Sequence, residues 1–249
     1  MSALSDSATL DGVPSVEQPA HVSARTRVRA ELTREIVETA RRQLAVEGAA
    51  GLSLRAVARE LGMVSSAVYR YVPSRDDLLT RLIIEAYDAL GAAAEAAEVG
   101  VPRDDLLGRF RAITRAVRGW AVAHPHEYAL VYGSPVPGYR APEDTIGPAT
   151  RVPALLIAVL ADAVAAGWTE RTPVVPVPKA VRRAIAPVRG SFPPQVTDDL
   201  LVRGLMAWTY LFGAVSFEVF GHRHNVVDDG AAFFDHEMAR IATMLGLLT

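Results

Sequence analysis

The most chemically loaded stretch of this 249-residue chain lies between Gly62 and Pro73 and reads Met63-Val64-Ser65-Ser66-Ala67-Val68-Tyr69-Arg70-Tyr71-Val72. Two hydroxyls, two phenols and a guanidinium stand close together there, donors and a fixed charge suited to phosphate oxygens and polar base edges. They are not a catalytic set. The chain has no Gly-x-Ser-x-Gly elbow, phosphate loop, helical His-Glu-x-x-His motif or Cys/His cluster, so the nucleophile or acid–base pair of an all-helical enzyme is missing. With no cysteine there is no disulfide framework and no thiolate ligand, which fits a reducing cytoplasm. The histidine pairs His124/His126 and His222/His224 are spaced by two, which on a helix points the rings about 200° apart. Even with Asp228, Asp235 and His236 near the second pair, no metal site and no cofactor is assigned.

What must position the serines and tyrosines is helical. Strict alternation is absent and β-branched clusters are sparse, whereas four-residue spacing recurs, as in Leu32, Ile36, Ala40 and Leu44, so the chain reads as all-α. A first amphipathic helix spans about residues 28–47 and stops at Gly48. Ser53 stands as an N-cap before a short second helix that ends at Gly62, and a third runs over about residues 65–71. Ser74 with Asp77 three residues on opens a long helix to about residue 97. Two helices joined by a tight glycine turn make a helix-turn-helix, whose second helix enters the major groove with its N-terminal residues at base edges and phosphates. Tyr69 and Tyr71 are two apart and cannot both face the groove, so one of them packs inside.

Charge supports this division. Residues 24–81 hold eleven arginines against seven acids, a net of +4, while the formal total is −2, which leaves −6 for the rest. A basic head on an acidic body is what a polyanion-binding module would show. The N-terminal 23 residues, rich in Ser, Ala, Pro and acids, read as a flexible tail without the pattern of a leader peptide, and no unbroken apolar run of membrane-spanning length follows. The expected domains are therefore a tail (1–23), a helix-turn-helix domain (24–73) and a helical body (74–249), in a soluble cytoplasmic protein.

Residues 28–79 resemble the DNA-binding domain of TetR-type repressors. The residues that carry the likeness are Ser53, Ala58, Gly62-Met63-Val64-Ser65, Tyr69-Arg70-Tyr71-Val72 and Arg75-Asp76-Asp77-Leu78. Val72 replaces the usual aromatic, and Arg75 stands where that family carries lysine. Position by position, the resemblance implies contacts to double-stranded DNA from Arg55, Val64, Ser65, Ser66, Tyr69, Arg70, Tyr71 and Arg75, with Arg25, Arg27 and Arg29 as an arm ahead of the first helix. The remainder is more loosely similar to the TetR branch named for a Trp-His-Gly signature, with Phe212 between Trp208 and Gly213 in place of the histidine. It implies a homodimer on a palindromic operator, released by a small-molecule effector. An activator or a ligand-independent architectural factor is the rival reading.

In the body, one helix is expected from Pro102 to Ala123 and another, buried on most sides, over residues 151–168; the proline-rich residues 172–195 read as a surface excursion with a short helix near 179–185. Candidate effector contacts are Phe110, Trp120, Tyr128, Tyr132, Trp168, Trp208 and Phe212, each of which would otherwise be ordinary core. In the last helix Phe234, Met238, Ile241, Leu245 and Leu248 step by four and three, a helix-pairing seam. The seam can close within one chain or between two. With Leu205, Val215 and Val219 of the preceding apolar helix, the same residues are the candidate dimer interface.

Overall fold

The computed structural model describes residues 24–168 and 173–247; the expected tail (1–23) and Leu248 of the seam lie outside them. Twelve helical elements and no strand occur among the described residues. The all-α expectation is met.

The head is built from α1 (Ala24–Gly51), α2 (Leu54–Glu60) and α3 (Ser65–Val68). Its core is Ile36, Val37, Ala40 and Leu44 of α1 against Leu54, Val57 and Ala58 of α2, with Val68 and Val72 closing the far side. Helix α1 begins earlier than expected and takes in Arg25, Arg27 and Arg29, so these do not form an arm ahead of it. Ala, Arg and Glu are strong helix formers, and no Gly or Pro interrupts the run until Gly48, where the backbone leaves helical geometry. Ser53 occupies the N-cap position with extended backbone, and its carbonyl accepts from Val57 N at 3.0 Å, while its side chain makes no cap bond.

Helix α4 (Arg75–Val99) belongs to both halves. Ser74 caps it by accepting from Asp77 N at 3.0 Å, as the sequence indicates. Leu78, Leu79, Leu82 and Ile83 lie in the head core, and Ala86, Leu90 and Ala94 in that of the body. At ~1.5 Å per residue this single rod is about 37 Å long.

The body follows as α5 (Leu106–Ala123), α6 (Pro125–Tyr132), a 3₁₀ turn (Glu143–Thr145), α7 (Ile146–Ala149), α8 (Arg151–Ala165), α9 (Lys179–Arg189), α10 (Asp198–Val219) and α11 (Gly230–Leu245). Pro102 does not open α5. Asp105 caps it instead, accepting from Gly108 N at 2.8 Å. Helix α9 runs past residue 185 and carries Pro187 inside it. Helix α10 is long and apolar enough to cross a bilayer by composition, but much of its apolar side is core, including Leu200, Leu201, Leu211 and Val215.

Two arginines tie α8 to α4. Arg151, at the start of α8, makes a bidentate pair with Glu95 (2.8 and 2.6 Å) and reaches Asp88 Oδ1 at 2.8 Å. It lies directly across Gly91, where an added Cβ would come within 2.7 Å of its Nε, so a residue without a side chain is needed there. Arg109, only 2% exposed, donates to Glu98 (2.5 Å) and to Asp162 near the end of α8 (2.6 Å). Burial alone would raise Asp162, but hydrogen bonds from Arg109 and Arg103 hold it below the ordinary carboxylate range. Glu95 is held low chiefly by its bond from Arg151, and Asp235 by that from Arg115. A carboxylate depressed in the folded state contributes stability above its unfolded pKa of about 4 and loses it as pH falls through the folded value. Urea unfolding midpoints should therefore fall on acidification below about pH 4, and less steeply in Arg151→Met, which removes the partner of Glu95.

Candidate nucleic-acid interface and body cavity

Between α2 and α3 the chain reverses at Gly62 (φ +65), a left-handed conformation that favours glycine. Met63 N donates back to Ala58 O at 2.9 Å and locks the turn. The following helix is shorter than expected. After Val68 the chain continues in tight turns, with Tyr71 N and Val72 N both donating to Val68 O at 2.9 and 3.0 Å, because Pro73 disfavours helical geometry in the residue before it.

Val68 and Val72 point inward and are fully buried. The opposite side presents Val64 (70% exposed), Ser66, Tyr69 (42% exposed) and Arg70 to solvent, with Ser65 half-buried beside them. Among the described residues neither the Tyr69 nor the Arg70 side chain has a hydrogen bond or ion pair, so both phenol and guanidinium are available to a partner.

Tyr71 is the member of the tyrosine pair that turns inward, half-buried against the head core with the Arg29 guanidinium 5.4 Å from its ring centre. Arg29 also donates to Arg70 O at 2.9 Å, so this arginine braces the outer strip from behind. Arg75 is likewise engaged: Nε donates to Leu52 O (3.1 Å), and Nη2 to Ala49 O (2.8 Å) and Ala50 O (3.3 Å), fastening α4 to the joint of α1 and α2. Arg25 and Arg27 lie exposed on the first turns of α1, and Arg55 lies exposed at the start of α2. Arg41 bonds Glu38, reaches Glu85 of α4 at 2.6 Å and Glu127 of α6 at 3.4 Å, joining head to body. Burial pushes the Glu85 carboxyl up against the pull of Arg41.

The body contains a cavity of about 560 Å³ between α8, α9, α10 and the end of α11. Of the seven aromatic candidates only Phe110 and Trp208 line it; the main walls are aliphatic, among them Pro153, Leu156, Ile157 and Leu160 of α8. The other aromatics hold one another. Tyr132 stacks on Phe212 at 4.2 Å and on Tyr128 at 5.1 Å, Trp120 stacks on His124 at 5.1 Å, and Trp168 packs against the body core. The Tyr128 hydroxyl donates to Phe212 O at 3.0 Å and contacts Ser216 Oγ at 2.9 Å, and burial pushes it up to about 12. Burial, with Tyr87 and Tyr128 nearby, holds Tyr132 higher still. Helix α8 is less buried than its composition indicates: only Val152, Val159, Leu160 and Ala163 are covered, since one flank faces the cavity.

Most of the candidate dimer seam is packed within the single chain. Phe234, Met238, Leu245 and Val215 are buried within the single chain, Val219 and Ile241 pack half-buried against the same core, and Leu205 and Leu245 line the cavity. The four/three spacing is satisfied by α10 and α5 of the same molecule. A different strip is left uncovered on α10, with Met206 (54% exposed), Tyr210, Gly213 and Phe217 (55% exposed) at steps of four, three and four, and Phe233 of α11 exposed as well. Its signal in the sequence was the same helical spacing in a second phase. Groups of His, Asp and Glu able to hold a metal do not occur among the described residues.

A three-helix head with a glycine-turned, outward-facing third helix, mounted on a helical body with an apolar cavity, is the architecture of a helix-turn-helix transcriptional regulator. The profile of the family described as "Bacterial regulatory proteins, tetR family" matches residues 36–82, and that of "Tetracyclin repressor-like, C-terminal domain" matches residues 110–241. Over 230 residues the chain is 42% identical to HTH-type transcriptional regulator Rv1816 of Mycobacterium tuberculosis and to Mb1846 of Mycobacterium bovis, covering 92% of this chain and 98% of each relative. Among solved structures, that of the regulatory protein SCO4313 shares the fold with a TM-score of 0.72 at 33% identity, over 89% of this chain and 100% of the other. The TetR family regulator PfmR of Thermus thermophilus shows the same fold at 19% identity, with a TM-score of 0.52 over 84% of this chain and 96% of its own. The chain belongs to the TetR family of transcriptional regulators.

Proposed function

We propose that the protein is a cytoplasmic repressor, a homodimer whose two heads sit in half-sites of a palindromic operator and which leaves DNA when a small apolar molecule fills the body cavity. The observation that carries this reading is the continuity of α4: its first half is head core, its second half is body core, and the cavity wall α8 is pinned to it by Arg151 and Arg109. Two recognition helices must lie about 34 Å apart to meet one turn of duplex, so a small tilt of this rod misplaces them. The effector shifts the balance only by preferring the tilted state.

Base edges fall to Val64, Ser65, Ser66, Tyr69 and Arg70, and phosphates to Arg25, Arg27 and Arg55. Arg29, Tyr71 and Arg75 act by holding that strip in place. The subunits pair through Met206, Tyr210, Gly213 and Phe217 with Phe233, in place of the buried seam. The body belongs with the Trp-His-Gly branch, and Phe212 stacks on Tyr132 from the position that branch gives to histidine.

Footprinting on the protein's own promoter tests the repressor reading. Protection overlapping the polymerase site is the expected result, and protection well upstream with increased transcription would make the protein an activator.

A further inference from the structure

The helices around the body cavity carry charge, yet none of it lines the space. Arg151 pairs with Glu95, Asp162 with Arg109, Arg189 with Asp198, and Asp199 with Arg203. None of these residues contributes to the lining, and neither do Lys179, Arg182 and Arg183 of α9. The walls are apolar apart from two side-chain hydroxyls, those of Thr150 and Ser191. Both of these residues are exposed and so stand at the mouth, whereas Val159, Leu160 and Leu245 form a buried inner wall. Thr150 Oγ1 gives its proton to Gly147 O at 2.8 Å and can still accept. Among the described residues Ser191 Oγ has no hydrogen bond, so it can both donate and accept.

Gly204 adds room from the opposite side. It lies within α10, where glycine weakens a helix relative to alanine, and it lines the cavity. An added Cβ would meet only Leu160 Cδ2, at 3.3 Å, which is itself part of the lining. A larger residue at this position would therefore reach into the space beside Leu160. An ion drawn inside would lose its water with no counter-charge to replace it, whereas aliphatic surface gains by leaving water.

We infer that the cavity takes an uncharged, mainly aliphatic molecule with one hydroxyl-sized polar end. The aliphatic part lies against Leu156, Leu160 and Gly204, and the polar end meets Ser191 and Thr150 at the mouth. This rests on the reading of the cavity as the effector site and specifies the effector's class.

Calorimetric titration of the full chain with 1-dodecanol, dodecanoate and dodecyltrimethylammonium, each below its micellar concentration and followed also by tryptophan fluorescence, compares three heads on one chain length. The alcohol should bind about tenfold or more tightly than either ion, and added salt should not weaken it. Ser191→Ala/Thr150→Val should weaken alcohol binding about fivefold, the worth of a hydrogen bond at a partly exposed site. Gly204→Leu, from inside, and Ala154→Trp, at the exposed mouth, should each lower it by about tenfold or more, and Ala154→Trp should leave the melting temperature unchanged. An ion that binds as tightly as the alcohol, alcohol binding undiminished in the hydroxyl variant, alcohol binding that survives Ala154→Trp, or no alcohol binding at all each overturns the inference. In the last case a gel shift of a genomic fragment by the same sample would show that the DNA-binding reading stands without it. If the alcohol binds but leaves that shift unchanged, the inference about the cavity holds and release from DNA by filling it does not.

Discussion

Tyr69→Ala combined with Arg70→Ala leaves the far-ultraviolet circular dichroism and melting temperature essentially unchanged and lowers operator affinity by about a hundredfold or more. Fold and function separate here because of where the side chains point. Tyr69 is 42% exposed, Arg70 is exposed, and neither contributes to the head core, which rests on Val68 and Val72 on the other side of the same turn. A base-edge contact is worth about 1–3 kcal/mol, so two lost together approach the gap between specific and non-specific binding. Residual binding in the variant should fall steeply with salt, as expected of phosphate contacts from Arg25, Arg27 and Arg55. Tyr71→Ala should behave differently. It removes the ring beneath Arg29 and part of the head packing, so the melting temperature falls along with affinity.

The second large effect distinguishes core from interface. Phe234→Ala should destabilise the protein by about 3–5 kcal/mol in urea unfolding, the usual cost of removing a fully buried aromatic ring, because Phe234 is 0% exposed within one chain. Phe217→Asp should cost little in the stability of a monomer, since the side chain is 55% exposed, but a charge on the uncovered strip of α10 should convert dimers to monomers in analytical ultracentrifugation. If Phe234→Ala dissociates the protein without destabilising it, the seam is an interface after all.

These two cases also show how far the sequence could be read. The head was legible nearly in full, because helix periodicity, the Ser74 cap and the Gly62 turn are local signals that tertiary packing did not override. Which tyrosine turned inward was decided by the turn before Pro73 and by Arg29, forty-two residues away from Tyr71, which no local pattern reports. The start of α1 was missed because a polar run of good helix formers looks the same as an arm until it is folded. In the body, spacing marked Phe234, Met238 and Leu245 as a packing seam but could not say against what, and α10 and α5 of the same chain cover it. The place of the cavity was not legible for a related reason. Aromatic residues drew attention, yet rings that satisfy each other, as Tyr128, Tyr132 and Phe212 do, leave no space, and the space lies among the aliphatic side chains of α8 and α10.

The central claim is that the outward side of the segment between Gly62 and Pro73 reads duplex DNA, once per subunit of a pair. Hydroxyl-radical footprinting of the protein on genomic fragments selected at low ionic strength tests it most directly. Two protected half-sites centred about one helical turn apart, present with the native protein and absent with Tyr69→Ala/Arg70→Ala, are predicted. No fragment retained, or an unchanged footprint in the double variant, would contradict it.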